Sequence, residues 1–294
     1  MKFSELPKKW KRQIILLTSI SILFSLLIVG FGLFLQSYRA ANEQHRSLLV
    51  KPDNQLIGER IVIHREGKNS VKVNIYYPTN GDKTNLPIVF NIHGGGFVGG
   101  DADVLDTQSQ RLADQWNSVI VSVNYTKADV KPINYGAEEI KDAVVYFVKN
   151  AKQFGIDPSK VTLMGYSAGA YYATESAGML ARDNTSIANV VLAYPWMTGM
   201  NAQELGEHYP PTFFVLAGKD QISQNAKVFI EEMKANKKDI TVIEYPNAVH
   251  SFIESNNPEG LVGATTDMSE VVNDEQQNLA RQAENEIYNW LLSH

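Results

Sequence analysis

The run Gly165-Tyr166-Ser167-Ala168-Gly169 is the first place in this chain where residue types and spacing could do chemistry. G-x-S-x-G exposes a serine hydroxyl on a sharp turn when a strand leads in and a helix leads out. The apolar run Val161 to Met164 precedes the serine and helical spacing over 168–182 follows it, so the context matches the pattern. Small neighbours let adjoining backbones approach, and the helix start offers free N–H groups to a developing negative charge. Alone, the pentapeptide is loose enough to occur in ordinary loops. A second segment supports it: His93-Gly94-Gly95-Gly96-Phe97 follows directly on the apolar run Pro87 to Ile92. Three glycines let the N–H groups of Gly95 and Gly96 turn inward, and the Ala168 N–H would complete a three-donor cradle for a tetrahedral oxyanion. The bland alternative is a flexible turn continuing through Gly99-Gly100. A phosphate-binding loop would require Gly-Lys-Ser/Thr, which does not follow.

A serine hydroxyl is barely ionised at neutral pH, so it needs a base and an acid to orient that base. In a strand–helix alternation of this kind they follow the serine in the order acid, histidine. Asp220 lies just past the run 212–217, and His250 just past the run 240–245. His250 would exchange the proton through Nε2 while Asp220 holds Nδ1–H. His45, His64, His208 and His294 are the competing imidazoles, and none follows the last strand. Asp220 as a plain turn residue stays open. Asp239 and Glu244 sit at the beginning and interior of the last strand, away from its end.

Elements must carry these residues to one place. β-rich runs at 59–65 and 71–77, joined by a Gly67–Ser70 turn, predict an antiparallel pair at one sheet edge. Strands at 87–92, 119–123, 161–164, 190–194, 212–217 and 240–245 alternate with helices at 136–154, 168–182, 223–236 and 274–292. The alternation predicts an α/β fold: a mostly parallel eight-stranded sheet covered by helices on both faces.

This ensemble resembles the α/β-hydrolase superfamily, and within it the hormone-sensitive-lipase-like esterases. The residues that carry the likeness are His93-Gly94-Gly95-Gly96, Asn124-Tyr125, Ile156-Asp157-Pro158, the serine elbow, and the surroundings of Asp220 and His250. It covers about residues 60–292. The resemblance implies a triad of Ser167, Asp220 and His250, oxyanion donors at Gly95, Gly96 and Ala168, and a loop-organising position for His93. It implies no cofactor. Tyr166 stands where many relatives have an acidic residue, and Ala170 replaces a glycine. Only 17 residues separate Tyr194 from Thr212, leaving little for an inserted cap, so an open cleft for short-chain or polymer-borne acyl groups is expected. The polar stretch 253–273 could instead fold across the cleft or form a surface loop.

Composition bounds the rest. The 294 residues include no cysteine, which removes thiol nucleophiles, disulfides and thiolate metal sites, and no clustered His/carboxylate spacing demands a metal. Residues 1–40 hold six Lys/Arg against one Glu, leaving 21 basic and 31 acidic residues beyond, a poor balance for nucleic-acid binding. From Ile14 to Leu35 no residue is charged; as a helix these 22 residues would span about 33 Å, one hydrocarbon core. Lys2, Lys8, Lys9, Lys11 and Arg12 precede them and predict a cytoplasmic amino terminus with the remainder outside the cell membrane. A cleaved signal peptide is the alternative, with Tyr38 and Arg39 poorly suited to its exit site.

The expected organisation is a basic segment 1–13, a transmembrane helix 14–35, a tether 36–58 and a catalytic domain 59–294. The expected function is a membrane-anchored serine carboxylesterase acting through an acyl-enzyme on a small-molecule or polymer-borne ester. An exopeptidase or amidase of the same fold, and a non-catalytic binding module, are the alternatives.

Overall fold

A computed structural model describes residues 3–81, 83–255 and 273–294. The stretch 256–272, which holds most of the segment expected to be either a lid or a surface loop, lies outside the described residues. The chain divides into two compact units, Met1–Gln44 and His45–His294.

The first unit is dominated by helix α1 (Lys8–Ser47), which runs on through much of the expected tether. Its most apolar 18-residue window has a mean hydropathy of 2.7, and none of that window is buried. Leu, Ile and Phe side chains along it are exposed.

The second unit is built on an eight-stranded sheet in the order β1 (Glu59–Ile63), β2 (Val71–Tyr76), β4 (Val119–Asn124), β3 (Leu86–Ile92), β5 (Ile156–Tyr166), β6 (Asn189–Ala193), β7 (Thr212–Ala217), β8 (Ile240–Tyr245). β1–β2 is antiparallel, as expected, β2–β4 is antiparallel as well, and every other pair is parallel. β6 and β7 read as unbroken buried runs because helices cover both faces. On one face Phe90, Leu163, Leu192 and Phe214 pack against α3 (Ile133–Lys149), α5 (Ala168–Arg182) and α6 (Gln221–Ala235). On the other, Val89, Met164, Val191 and Val215 meet α2 (Asp106–Trp116) and α7 (Asp274–Ser293), with α4 (Ala151–Phe154) a single turn before β5.

Two elements differ from the sequence reading. Helix α2 falls where no element is assigned, because only Leu112, Ala113 and Trp116 supply its apolar contacts to the core and its remaining residues read as a polar loop. β5 starts five residues before the apolar run at Val161: Ile156 pairs with Leu86, and the register slips between Leu86 and Ile88 to absorb the irregular stretch around Pro158.

The order of β3, β4 and β5 decides where a ligand can go. The chain leaves β3 for β4 on one side and continues through β5 on the other, opening a crevice past the carboxyl ends of the parallel strands. Ile92 is in register with Gly165, so the glycine loop after β3 and the serine turn after β5 are neighbours by construction.

Candidate active site

Ser167 occupies the residue between β5 and α5 with φ +51° and ψ −117°, a conformation an L-residue holds only when its surroundings impose it. Its N–H donates to the Ala193 carbonyl (3.0 Å), and its own carbonyl accepts from the N–H groups of Ala170 and Trp196 (both 3.1 Å). Gly165 and Gly169 are required by crowding. A methyl group on Gly165 would strike the Gly169 carbonyl, and one on Gly169 would strike the carbonyls of Ile92 and His93.

The three residues expected to cooperate meet. His250 Nε2 lies 2.9 Å from Ser167 Oγ, and His250 Nδ1 lies 2.7 Å from Asp220 Oδ2. Asp220 is also the N-cap of α6: Oδ1 accepts from the Ile222 N–H (2.9 Å) and Oδ2 from the Ser223 N–H (3.1 Å) and hydroxyl (2.9 Å). Burial alone would raise this carboxyl, but the hydrogen bond and charge of His250, with the α6 donors, hold it below the usual carboxylate range. An ionised Asp220 fixes the tautomer, since Nδ1 must donate to it and Nε2 is left to accept from the serine hydroxyl. The Tyr194 ring meets the imidazole edge-on at 5.1 Å.

The loop after β3 presents Gly95 and Gly96, both exposed, at φ +125° and +58°, between a buried Gly94 and the half-buried Phe97. A methyl on Gly94 would lie 3.3 Å from Ser167 Cβ, which sets the loop directly beside the serine. Ala168 opens α5, so its N–H has no intrahelical acceptor. His93 is fully buried beneath the loop: Nδ1–H donates to the Gly94 carbonyl (2.6 Å), Nε2 accepts from Lys127 Nζ (2.9 Å), and its carbonyl accepts from the Tyr125 hydroxyl (2.9 Å). Burial, then the Lys127 charge, push His93 well below the ordinary imidazole value, so it serves as a neutral strut and not as a base.

The other histidines take different places. His64 bonds Ser70, and His294 bonds the Trp290 carbonyl. Glu244 is committed to Gln224 and Lys227.

Sequence reasoning missed two charged neighbours of the glycine loop. Lys127 is buried at its rear, and Glu254 accepts from the Gly94 N–H (3.2 Å) and the Ser251 hydroxyl (3.0 Å). Burial raises the Glu254 carboxyl against the lowering effect of His250. Neither residue carries a local motif; a lysine past a strand and a glutamate four residues past a histidine read as ordinary surface residues.

With the geometry in place, comparison with known proteins is informative. A family profile described as alpha/beta hydrolase fold matches residues 89–208. Carboxylesterase NlhH of Mycobacterium tuberculosis is 34% identical over 145 residues, covering 49% of this chain and 45% of that one. The chain has the α/β-hydrolase fold. Arylacetamide deacetylase of Oryctolagus cuniculus is 33% identical over 129 residues, covering 42% of this chain and 32% of the rabbit protein. The chain thus spans under half the length of each of these two curated relatives. An esterase structure from Pyrobaculum calidifontis superposes with a TM-score of 0.66 at 20% identity, covering 93% of this chain and 96% of that one. The thermophilic carboxylesterase EstE1, from a metagenomic library, gives 0.66 at 23% identity, covering 87% and 97%. At these identities the superpositions speak for the fold alone.

Lys127 provides a pH test of the loop's buried support. Despite the Tyr125 ring face 4.1 Å from Nζ, burial brings its ammonium down to about 7, against an ordinary 10.5 that the unfolded chain retains. Between those values the unfolded state binds the proton and the native state does not, so this residue makes stability rise with pH across that window. Urea unfolding from pH 7 to 10 should show the wild type gaining stability relative to Lys127→Met. A difference between the two that does not vary with pH would refute the depressed ammonium.

Proposed function

We propose that this α/β hydrolase is a membrane-anchored serine carboxylesterase, and the observation that carries the proposal is the hydrogen-bonded line from Asp220 through His250 to Ser167. Ser167 Oγ attacks the ester carbonyl carbon while His250 Nε2 takes its proton. Asp220 orients the imidazole and stabilises the imidazolium that forms. The carbonyl oxygen becomes an oxyanion facing the N–H groups of Gly95, Gly96 and Ala168. Collapse breaks the bond to the alcohol, which leaves with the proton from Nε2, and an acyl group remains on Ser167. Water then enters, gives its proton to His250, attacks the acyl carbon and releases the carboxylic acid, returning the proton to Ser167.

Substrate size follows from the surroundings. The 17 residues between Tyr194 and Thr212 hold one 3-10 turn, Ala202–Leu205, and no inserted helical cap. Phe97 within the loop meets Tyr171 and Trp196 at ring distances of 5.4 and 5.8 Å, an aromatic group close to the site. This favours short or polymer-borne acyl groups. The proposed organisation places a basic segment at 1–13, a single membrane span at 14–35 with the amino terminus cytoplasmic, a connection at 36–58 and the catalytic domain at 59–294 outside the cell. Its support is the exposed apolar surface of α1 and the cationic residues before the span.

Ser167→Ala and His250→Ala should each lower kcat by roughly 10⁴-fold or more, and Asp220→Asn by a comparable factor, with the fold intact by circular dichroism. Full turnover by Ser167→Ala would reject the nucleophile. In a series of p-nitrophenyl esters, kcat/KM should peak at two to four acyl carbons; a maximum at ten or more would remove the short-chain assignment. On fractionation the full chain should stay with membranes through high-salt and carbonate washes and be released by detergent, and release by salt alone would exclude a span.

A further inference from the structure

The glycine loop has one internal backbone hydrogen bond, from the Gly99 N–H to the Gly95 carbonyl (2.7 Å), and little else of its own to fix its shape. Gly95, Gly96, Phe97 and Gly100 all have positive φ, and residues 94–100 carry only two side chains larger than hydrogen, Phe97 and Val98. Fixing the direction of the Gly95 and Gly96 amides therefore also calls for contacts from outside the loop. Three consecutive residues past β4 do so: Lys127 Nζ reaches His93 Nε2 (2.9 Å), the Ala128 N–H donates to the Phe97 carbonyl (2.9 Å), and Asp129 holds Arg46. Arg46 Nη1 donates to both Asp129 carboxylate oxygens (3.0 and 3.1 Å) and to the Val98 carbonyl (2.6 Å). The Arg46 and Asp129 side chains are only 9% and 2% exposed.

A buried guanidinium–carboxylate pair is an expensive way to fill space, since two well-packed apolar residues would serve stability as well or better. An apolar pair, however, has no donor for the Val98 carbonyl. Arg46 lies in the stretch expected to be a tether, and the part of that stretch from His45 onward belongs to the second unit and is bonded within it at several points. The Lys51 N–H donates to Asp103 (2.8 Å), Lys51 Nζ pairs with Asp106 (2.9 Å), and the Ile57 and Gly58 N–H groups also donate to Asp106 (3.1 and 3.3 Å to Oδ1). Residues 45–58 are thus placed to support the site as well as to connect it.

We propose that Arg46 is a positioning residue of the oxyanion loop, bridging the Val98 carbonyl and Asp129 so that the Gly95 and Gly96 amides face the carbonyl oxygen beside Ser167. Its catalytic consequence rests on the esterase reading above, whereas its effect on the loop does not.

The test uses the full chain in detergent and four proteins: wild type, Arg46→Lys, Arg46→Met and the double variant R46M/D129L. Arg46→Met should lower kcat for a short p-nitrophenyl ester by about 10- to 100-fold with KM within about 3-fold, as for a weakened oxyanion contact. The inhibition constant of an aryl trifluoromethyl ketone, whose hemiketal mimics the oxyanion, should rise by the same factor. The double variant removes the stranded carboxylate and should recover the melting temperature without recovering kcat. Arg46→Lys, whose ammonium can still donate to both partners, should recover part of kcat, and it supplies the comparison if Arg46→Met does not fold. Amide hydrogen exchange in a peptide covering 93–100 should be faster in every Arg46→Met protein that folds. A stable double variant with wild-type kcat and ketone affinity, or with unchanged exchange in that peptide, would overturn the proposal. A wild type that neither turns over esters nor binds the ketone would overturn the esterase reading, and the exchange measurement would still decide the role of Arg46.

Discussion

A 2.9 Å contact between Ser167 Oγ and His250 Nε2 is the constraint to which the rest of the structure answers. Its partners are 83 residues apart, and neither loop could hold its side chain to a few tenths of an ångström unaided. The parallel run β3–β5–β6–β7–β8 does this by placing successive strand ends along one edge of the sheet. Ser167 leaves β5, Asp220 follows β7 and His250 follows β8. The register of Ile92 with Gly165 sets the glycine loop beside the serine. Helix α6 contributes twice, since the same Asp220 carboxylate that orients the imidazole also caps the helix, so the acid is pinned by two backbone N–H groups before it meets His250.

That edge carries strain and buried charge supported by the core beneath it. The positive φ of Ser167 is held by backbone bonds to Ala193, Ala170 and Trp196, and glycine at 165 and 169 is the only residue type that avoids a collision. Under the glycine loop lie a neutral histidine, a lysine with a depressed pKa, a glutamate with a raised one and an arginine–aspartate pair. Each is costly to bury alone and tolerable only because its hydrogen bonds are met. Such groups resist small displacements more sharply than apolar packing does, because a shift of half an ångström breaks a directional bond where it would only loosen a van der Waals contact. A loop made mostly of glycine has particular need of that stiffness.

The sequence was most legible where one physical rule acts alone. Buried strands read as continuous apolar runs, so β3, β4, β6 and β7 stood out, and β-rich composition between turn residues marked the others; the turns after β3, β5, β7 and β8 followed, and with them His93, Ser167, Asp220 and His250. Helix α2 escaped because its contact with the sheet is narrow: Leu112, Ala113 and Trp116 hardly alter the polarity of Asp106–Trp116. Arg46, Lys127 and Glu254 escaped for a different reason. Their partners are 52, 34 and 160 residues away, and a charged side chain looks the same in sequence whether it ends in water or beneath a loop.

Local chemistry and periodicity therefore determined the kinds of element, their order, the sharp turn at Ser167 and the apolar length at the amino terminus, because each depends on residues close together along the chain. Tertiary structure alone decided which charges are buried and what they hold. It left the imidazole of His93 under the loop and that of His250 against the serine, and it bonded residues of the 45–58 stretch to Asp103, Asp106 and Asp129 within the second unit. The physical reason is that burial and pairing are set by the distances between folded segments, and those distances come into being only when the sheet closes.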